Sequence, residues 1–449
     1  MLLRYLFFNG IAKLISSVRT PIFLILFGLS NELGVVLFLL TLIGQALVLG
    51  SVFDLVACRV AFSEKTSKSL DALYSWMLIG GFSVFLCLLP FADWSSVQDV
   101  WKYITAGGGY LLAMNLFGYE ITRARSSGLN VQIALAQLAN SVIFIGLLFL
   151  LNQTLSELSI LVAMAIGTST CFIILRVYRL RFNSSNEIDL KDTEVKIRPT
   201  QRIKYIDLVK PSAVYLLASI FFTIDKMIGN QKLDSGAFSV YLIAFSILMM
   251  LRGAFNFEQF FASELSKNGE IHSISRKIMI LTCLLSAAIV INTDLVAFFI
   301  SMLGKLSVDH KVIFSNCFPL LMLSFPILSV FSIFNRSVGV KINFYQIICA
   351  FVGGLMVVML ISLEVEKSPS TLAFLFLLSI VVFSNVLFLN QFFSVWSVAS
   401  LCSMLLLLGA YMYNFFNTPI IIDCILSLPF LFGVLFILKP KLLINRGSC

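Results

Sequence analysis

Charge is scarce in this sequence. Only 12% of its 449 residues are Asp, Glu, Lys or Arg, while 59% are hydrophobic and the mean hydropathy is +0.98. A water-soluble domain of that composition has too little polar surface to cover itself. Further absences narrow the chemistry. No GxxxxGK[ST] stretch occurs, which excludes a P-loop cradle for ATP phosphates. The two histidines, His272 and His310, have no neighbours at metal-ligand spacing, so neither a metal nor any other cofactor is expected. Nine cysteines stand singly, without a CxxC, and read as small apolar packing residues rather than a disulfide framework. Long polar stretches are nearly absent as well. The one clear case, Leu180 to Tyr205, has the composition of a solvated linker.

What the chain has instead is a recurring apolar block of about 20 residues, the helical length that crosses about 30 Å of hydrocarbon. Fourteen such blocks run from 5–29 to 419–438, and predict an all-α polytopic membrane protein of 12–14 spans. The N-terminal stretch MLLRYLFFNGIAKLISSVRTPIFLILFG has no small-residue cleavage site, and Lys13 and Arg19 interrupt it. It reads as the first span, not as a removed leader.

Lys and Arg orient the spans. With the N-terminus in the cytoplasm, the cytoplasmic loops hold most of them, including the run from Arg176 to Lys210, whereas the opposite side holds Lys102, Lys232, Lys305, Lys311 and Lys367. Both termini are therefore expected in the cytoplasm. The net charge of +9 is mostly this topology signal, and no nucleic-acid partner is expected.

The linker separates two comparable halves. ARSSGLNVQI follows the fourth span and NRSVGVKINF the tenth; LSNELGVVLFLL enters the second and KLDSGAFSVYLI the eighth. These pairs suggest an internal repeat of six spans related by an axis along the membrane normal, with a central cavity between two lobes. The expected division is a six-helix lobe at 1–180, a cytoplasmic linker at 181–205, a second six-helix lobe at 206–391, and an additional helix pair and tail at 392–449.

Charge inside a membrane costs about 2.5–3.5 kcal/mol per residue on insertion scales, so it tends to face a bundle interior or water. In span one, Asn9, Lys13, Ser16 and Thr20 fall on one helical stripe, with Arg19 about a quarter turn away, just before Pro21. In span seven, Ser212, Tyr215, Ser219, Thr223 and Lys226 form a similar stripe, and Asp225 points to its side. In span eight, Tyr241, Arg252, Asn256, Gln259 and Ser263 line up. Alternatives stand beside the cavity reading. Lys13 and Lys226 are each within snorkelling reach of headgroups, and Asp225 also fits a local ion pair. Taken together the buried excess is positive, with Arg19, Arg252, Lys226 and Lys13 set chiefly against Asp225. A cavity of that sign suits an anion, above all a phosphate or pyrophosphate that arginine binds with two parallel hydrogen bonds.

Several stretches resemble the Wzx-type polysaccharide flippases of the multidrug, oligosaccharidyl-lipid and polysaccharide exporter superfamily. They are FGLSNELGVVLF into span two, LVKPSAVYLLASIFFTIDKMIG through SGAFSVYLIAFS in spans seven and eight, AFFISMLGKLS after span nine, and the six-plus-six layout itself. The resemblance implies two six-helix bundles in a V and alternating access. It also implies movement of an undecaprenyl-diphosphate-linked oligosaccharide, an O-antigen or related repeat unit, to the periplasmic leaflet of a bacterial inner membrane. Cavity cations would hold the diphosphate, a proton or sodium gradient would drive the cycle, and Asp225 falls where the family commonly has an acid. Implied partners are the lipid-linked glycan, membrane lipids, and the polysaccharide polymerase and chain-length machinery. Many members have about twelve spans, so the pair at 394–438 departs from the pattern. Two rivals remain, and neither fits as well. A multidrug antiporter of the same superfamily would rarely have a cationic cavity, and a polymerase or ligase of the glycosyltransferase type needs a large periplasmic loop where this chain has only short ones. A transporter, not an enzyme, is the expectation.

Overall fold

The computed structural model describes residues 19–28, 30–47, 64–92, 94–95, 97–126, 129–186, 214, 217–218, 220–221, 223–254, 271–304, 307–336, 343–362, 368–388, 395, 397–414 and 419–444. Among them the secondary structure is helical, with no strand. Lipid leaves little alternative, because a spanning backbone must satisfy its polar groups within its own helix. The chain divides into two compact units, Met1–Thr223 and Ile224–Cys449.

In the first unit the described helices are α1 (Arg19–Phe27), α2 (Asn31–Ala46), α3 (Glu64–Leu88), α4 (Val100–Ser126), α5 (Asn130–Leu155) and α6 (Leu158–Asn186). Gly28 closes α1. Its φ of 63° is costly for a side chain with a Cβ, and its amide donates to Leu24 O at 2.9 Å. Ser30 then caps α2, its Oγ accepting from Leu33 N at 3.0 Å. The same hydroxyl donates to Glu157 Oε1 at 2.6 Å, which ties the start of α2 to the turn between α5 and α6. Helix α6 packs on both α4 and α5. It also continues to Asn186, into the segment expected as linker.

The second unit contains α7 (Ile224–Lys232), α8 (Ser235–Ala254), α9 (Ile271–Ile291), α10 (Thr293–Gly304), α11 (Val308–Arg336), α12 (Phe344–Ser362), α13 (Pro369–Leu387), α14 (Val398–Tyr413) and α15 (Ile420–Ile444). Helix α13 packs on both α11 and α12, as α6 packs on α4 and α5 in the first unit. The final pair, α14 and α15, is no loose appendage, since both helices pack on α9. Two expected spans are interrupted. The ninth breaks at Asn292, whose Nδ2 bonds back to Ala288 O at 2.8 Å, and α10 follows. The seventh breaks at Thr223, whose amide bonds to Ile220 O, three residues back, before α7 begins.

Seven described helices are long and apolar enough to span a membrane, and five shorter apolar ones accompany them. Their outer faces match lipid rather than water. On α12 the exposed side chains Tyr345, Ile348, Val352, Met356 and Met359 form one helical stripe with no polar residue in it. Within the spans, hydroxyls bond to their own helix: Thr41 to Leu37 O, Ser141 to Gln137 O, Thr282 to Ile278 O and Ser329 to Phe325 O. Such a hydroxyl is satisfied in lipid and needs no aqueous cavity.

Gly229 lets α7 approach α13. A Cβ there would lie 2.4 Å from Leu372 Cδ1 and 2.9 Å from the Phe238 ring. Gly229→Ala is therefore expected to force these elements apart and cost about 1–3 kcal/mol, read as a lower unfolding midpoint of the purified protein. An unchanged midpoint would show that the contact yields freely.

Candidate functional site

In the second unit, Asp225 and Lys226 lie in the first turn of α7, and both are completely buried. The stripe drawn from a continuous helix placed Lys226 with Thr223 on a cavity face and sent Asp225 to the side. The two backbone positions stay about 100° apart within α7, but the long lysine side chain folds back on its neighbour. Lys226 Nζ lies 3.1 and 3.0 Å from Asp225 Oδ1 and Oδ2. Tyr241 of α8, also fully buried, donates its hydroxyl to Asp225 Oδ2. Two rings complete the enclosure, Phe245 of α8 at 3.4 Å from Nζ to its centroid and Phe376 of α13 at 4.9 Å.

Magnitudes show what this cluster does. Removing each ion from water costs several kcal/mol. Attraction at about 3 Å returns about 5 kcal/mol at an effective dielectric of 20, and each desolvated cation–ring contact adds up to about 2 kcal/mol. The closed cluster thus roughly breaks even, whereas either ion alone would be strongly unfavourable. In this structure Lys226 is held inside the unit and is not presented to a cavity or to headgroups.

Arg19, at the start of described α1, has a different environment. Its guanidinium carbon lies 4.7 Å from the Phe144 ring centroid on α5, and Phe23, one turn along α1, meets the same ring edge-on at 6.0 Å. Tyr110 of α4 is within electrostatic reach. No carboxylate among the described residues pairs with Arg19, and its buried Nε has no hydrogen-bond partner among them. A buried donor without an acceptor costs about 1–3 kcal/mol.

Arg252 sits partly buried in the last turn of α8, eleven residues after Tyr241 and so about 16 Å further along nearly the same face. Of the remaining expected site residues, Asn9, Lys13, Ser16, Tyr215, Ser219, Asn256 and Gln259 lie outside the described residues, and of Thr20 only the backbone, in α1, is described. Among the described residues, the structure brings together Asp225, Lys226 and Tyr241 of the span-eight stripe.

Other interactions carry no helical-wheel signal. Phe245 and Phe376 reach the buried pair from distant sequence. Glu120 pairs with Arg179 of α6, not with the adjacent Arg123, which lies over the Tyr119 ring. In the first unit, Glu157 accepts from both Ser30 and Ser156, and Glu32 accepts from Tyr103 at 3.0 Å.

No protein-family model matches the sequence, and no curated protein sequence matches it. Among solved structures, the chain is similar to one described as lipid II flippase MurJ in an inward closed conformation. The TM-score is 0.66 at 14% identity, and the likeness covers 98% of this chain and 100% of that one. At that identity the likeness is one of fold: the chain is a polytopic all-α membrane protein that shares the fold of that structure along its whole length.

Proposed function

We propose that the chain is a flippase that moves an undecaprenyl-diphosphate-linked oligosaccharide, an O-antigen or related repeat unit, from the cytoplasmic to the periplasmic leaflet by alternating access of its two lobes. The observation that carries the reading is the end-to-end fold likeness to a protein whose printed name is lipid II flippase. Arg19 supplies the chemistry, since an arginine with a buried, unsatisfied donor suits a phosphate oxygen. On this reading Arg19 and Arg252 bind the diphosphate, and Lys13 with Asn9, Ser16, Thr20, Tyr215, Ser219, Asn256 and Gln259 lines the path of the sugars. Asp225 takes part in ion coupling. The protein sits in the bacterial inner membrane with both termini in the cytoplasm, beside the polymerase and chain-length machinery that use its product.

Deleting the gene tests this. Lipid-linked repeat units should accumulate on the cytoplasmic leaflet and surface polysaccharide should disappear. Single unpolymerised units reaching the outer surface would instead assign the chain to polymerisation. Unchanged polysaccharide with altered drug sensitivity would assign it to drug efflux.

A further inference from the structure

The groups around Lys226 Nζ form a binding site for a cation in their own right. One carboxylate with both oxygens within 3.1 Å and two ring faces converge on Nζ, and the Tyr241 phenol braces the carboxylate; Asp225, Lys226 and Tyr241 are fully buried. A lone carboxylate in such surroundings requires one nearby positive charge. A divalent ion would leave an excess charge that nothing in the cluster offsets, so a single charge is what the site balances. Here that charge comes from the neighbouring residue of the same helical turn. Being covalently attached, it has a local concentration that no dissolved ion matches.

We propose that Asp225, Tyr241, Phe245 and Phe376 build a monovalent-cation site that the chain fills with its own Lys226 ammonium, so that no exchangeable Na⁺ binds there in the native protein. To enter, a sodium ion would have to displace a tethered ammonium into apolar packing. Removing the ammonium opens the site. Lys226→Ala leaves the Asp225 carboxylate and the Tyr241 hydroxyl facing the volume that the lysine stem vacates, and Na⁺ then takes the place of the missing charge. One consequence, independence of the transport cycle from Na⁺, rests on the proposed flippase function; the binding statement does not.

Thermal unfolding of the purified full chain in detergent, in NaCl against choline chloride at equal ionic strength, tests the binding statement without any glycan. The wild type should unfold at the same temperature in both salts. Lys226→Ala should unfold several degrees higher in NaCl, and the double variant Asp225→Asn/Lys226→Ala should lose that difference. Wild type stabilised by Na⁺, or Lys226→Ala indifferent to it, overturns the proposal. Should Lys226→Ala not accumulate in membranes, the wild-type comparison still decides. A separate complementation assay in Na⁺-depleted medium reads the transport consequence. Loss of wild-type complementation there, with no Na⁺ effect on unfolding, would remove that consequence and leave the self-filled site standing.

Discussion

Arg19→Ala is expected to abolish complementation of a strain lacking the gene, at unchanged abundance in the membrane, while Arg19→Lys retains part of it. Removing one partner of a buried, hydrogen-bonded charge contact costs about 2–5 kcal/mol, which is a loss of about 30-fold to several thousand-fold in binding. Lysine preserves the charge and can still lie over the Phe144 ring, but it lacks the planar fork that grips two phosphate oxygens. The intermediate phenotype of Arg19→Lys therefore separates anion binding from packing. Loss of the ring contact alone would appear as lower abundance or a lower unfolding temperature in Arg19→Ala. Full activity of Arg19→Ala would sink the anion-binding role. The same substitutions at Arg252 should behave alike if it shares the diphosphate.

The second large effect concerns the buried pair. Asp225→Leu or Lys226→Met alone should destabilise the protein by about 3–5 kcal/mol, because each leaves an uncompensated charge in a site without solvent. The double variant Asp225→Leu/Lys226→Met should recover most of that loss, since apolar groups of similar volume replace a buried ion pair at little cost. The measurement is a double-mutant cycle on unfolding in detergent, with a coupling energy well above the 0.5 kcal/mol expected of independent sites. Additive losses would mean that the two charges do not meet in the native protein. Transport gives a separate readout. Asp225→Asn is expected to weaken the dependence of flipping on the proton gradient, and an unchanged dependence would remove Asp225 from coupling.

The two predictions differ in how far sequence alone could reach them. Arg19 stood out because a charged residue among apolar neighbours is costly in lipid, a local fact that needs no coordinates. That no described carboxylate pairs with it is a property of what surrounds it, namely Phe144 of α5 and Tyr110 of α4. Asp225 and Lys226 were just as visible, and a local ion pair was one of the readings open for Asp225. A helical wheel could not choose among them, because it places backbone positions and not the end of a long lysine side chain.

By itself the sequence determined that this is a polytopic helical membrane protein. That property follows from the length of apolar blocks, which lipid enforces one helix at a time. Tertiary structure alone decided which buried charges are satisfied. Lys226 is neutralised by Asp225 and enclosed by rings from α8 and α13, whereas Arg19 Nε is left without an acceptor among the described residues. The reason is that the energy of a charge in a membrane depends on its contacts across helices, and those contacts join residues as far apart in the chain as Lys226 and Phe376.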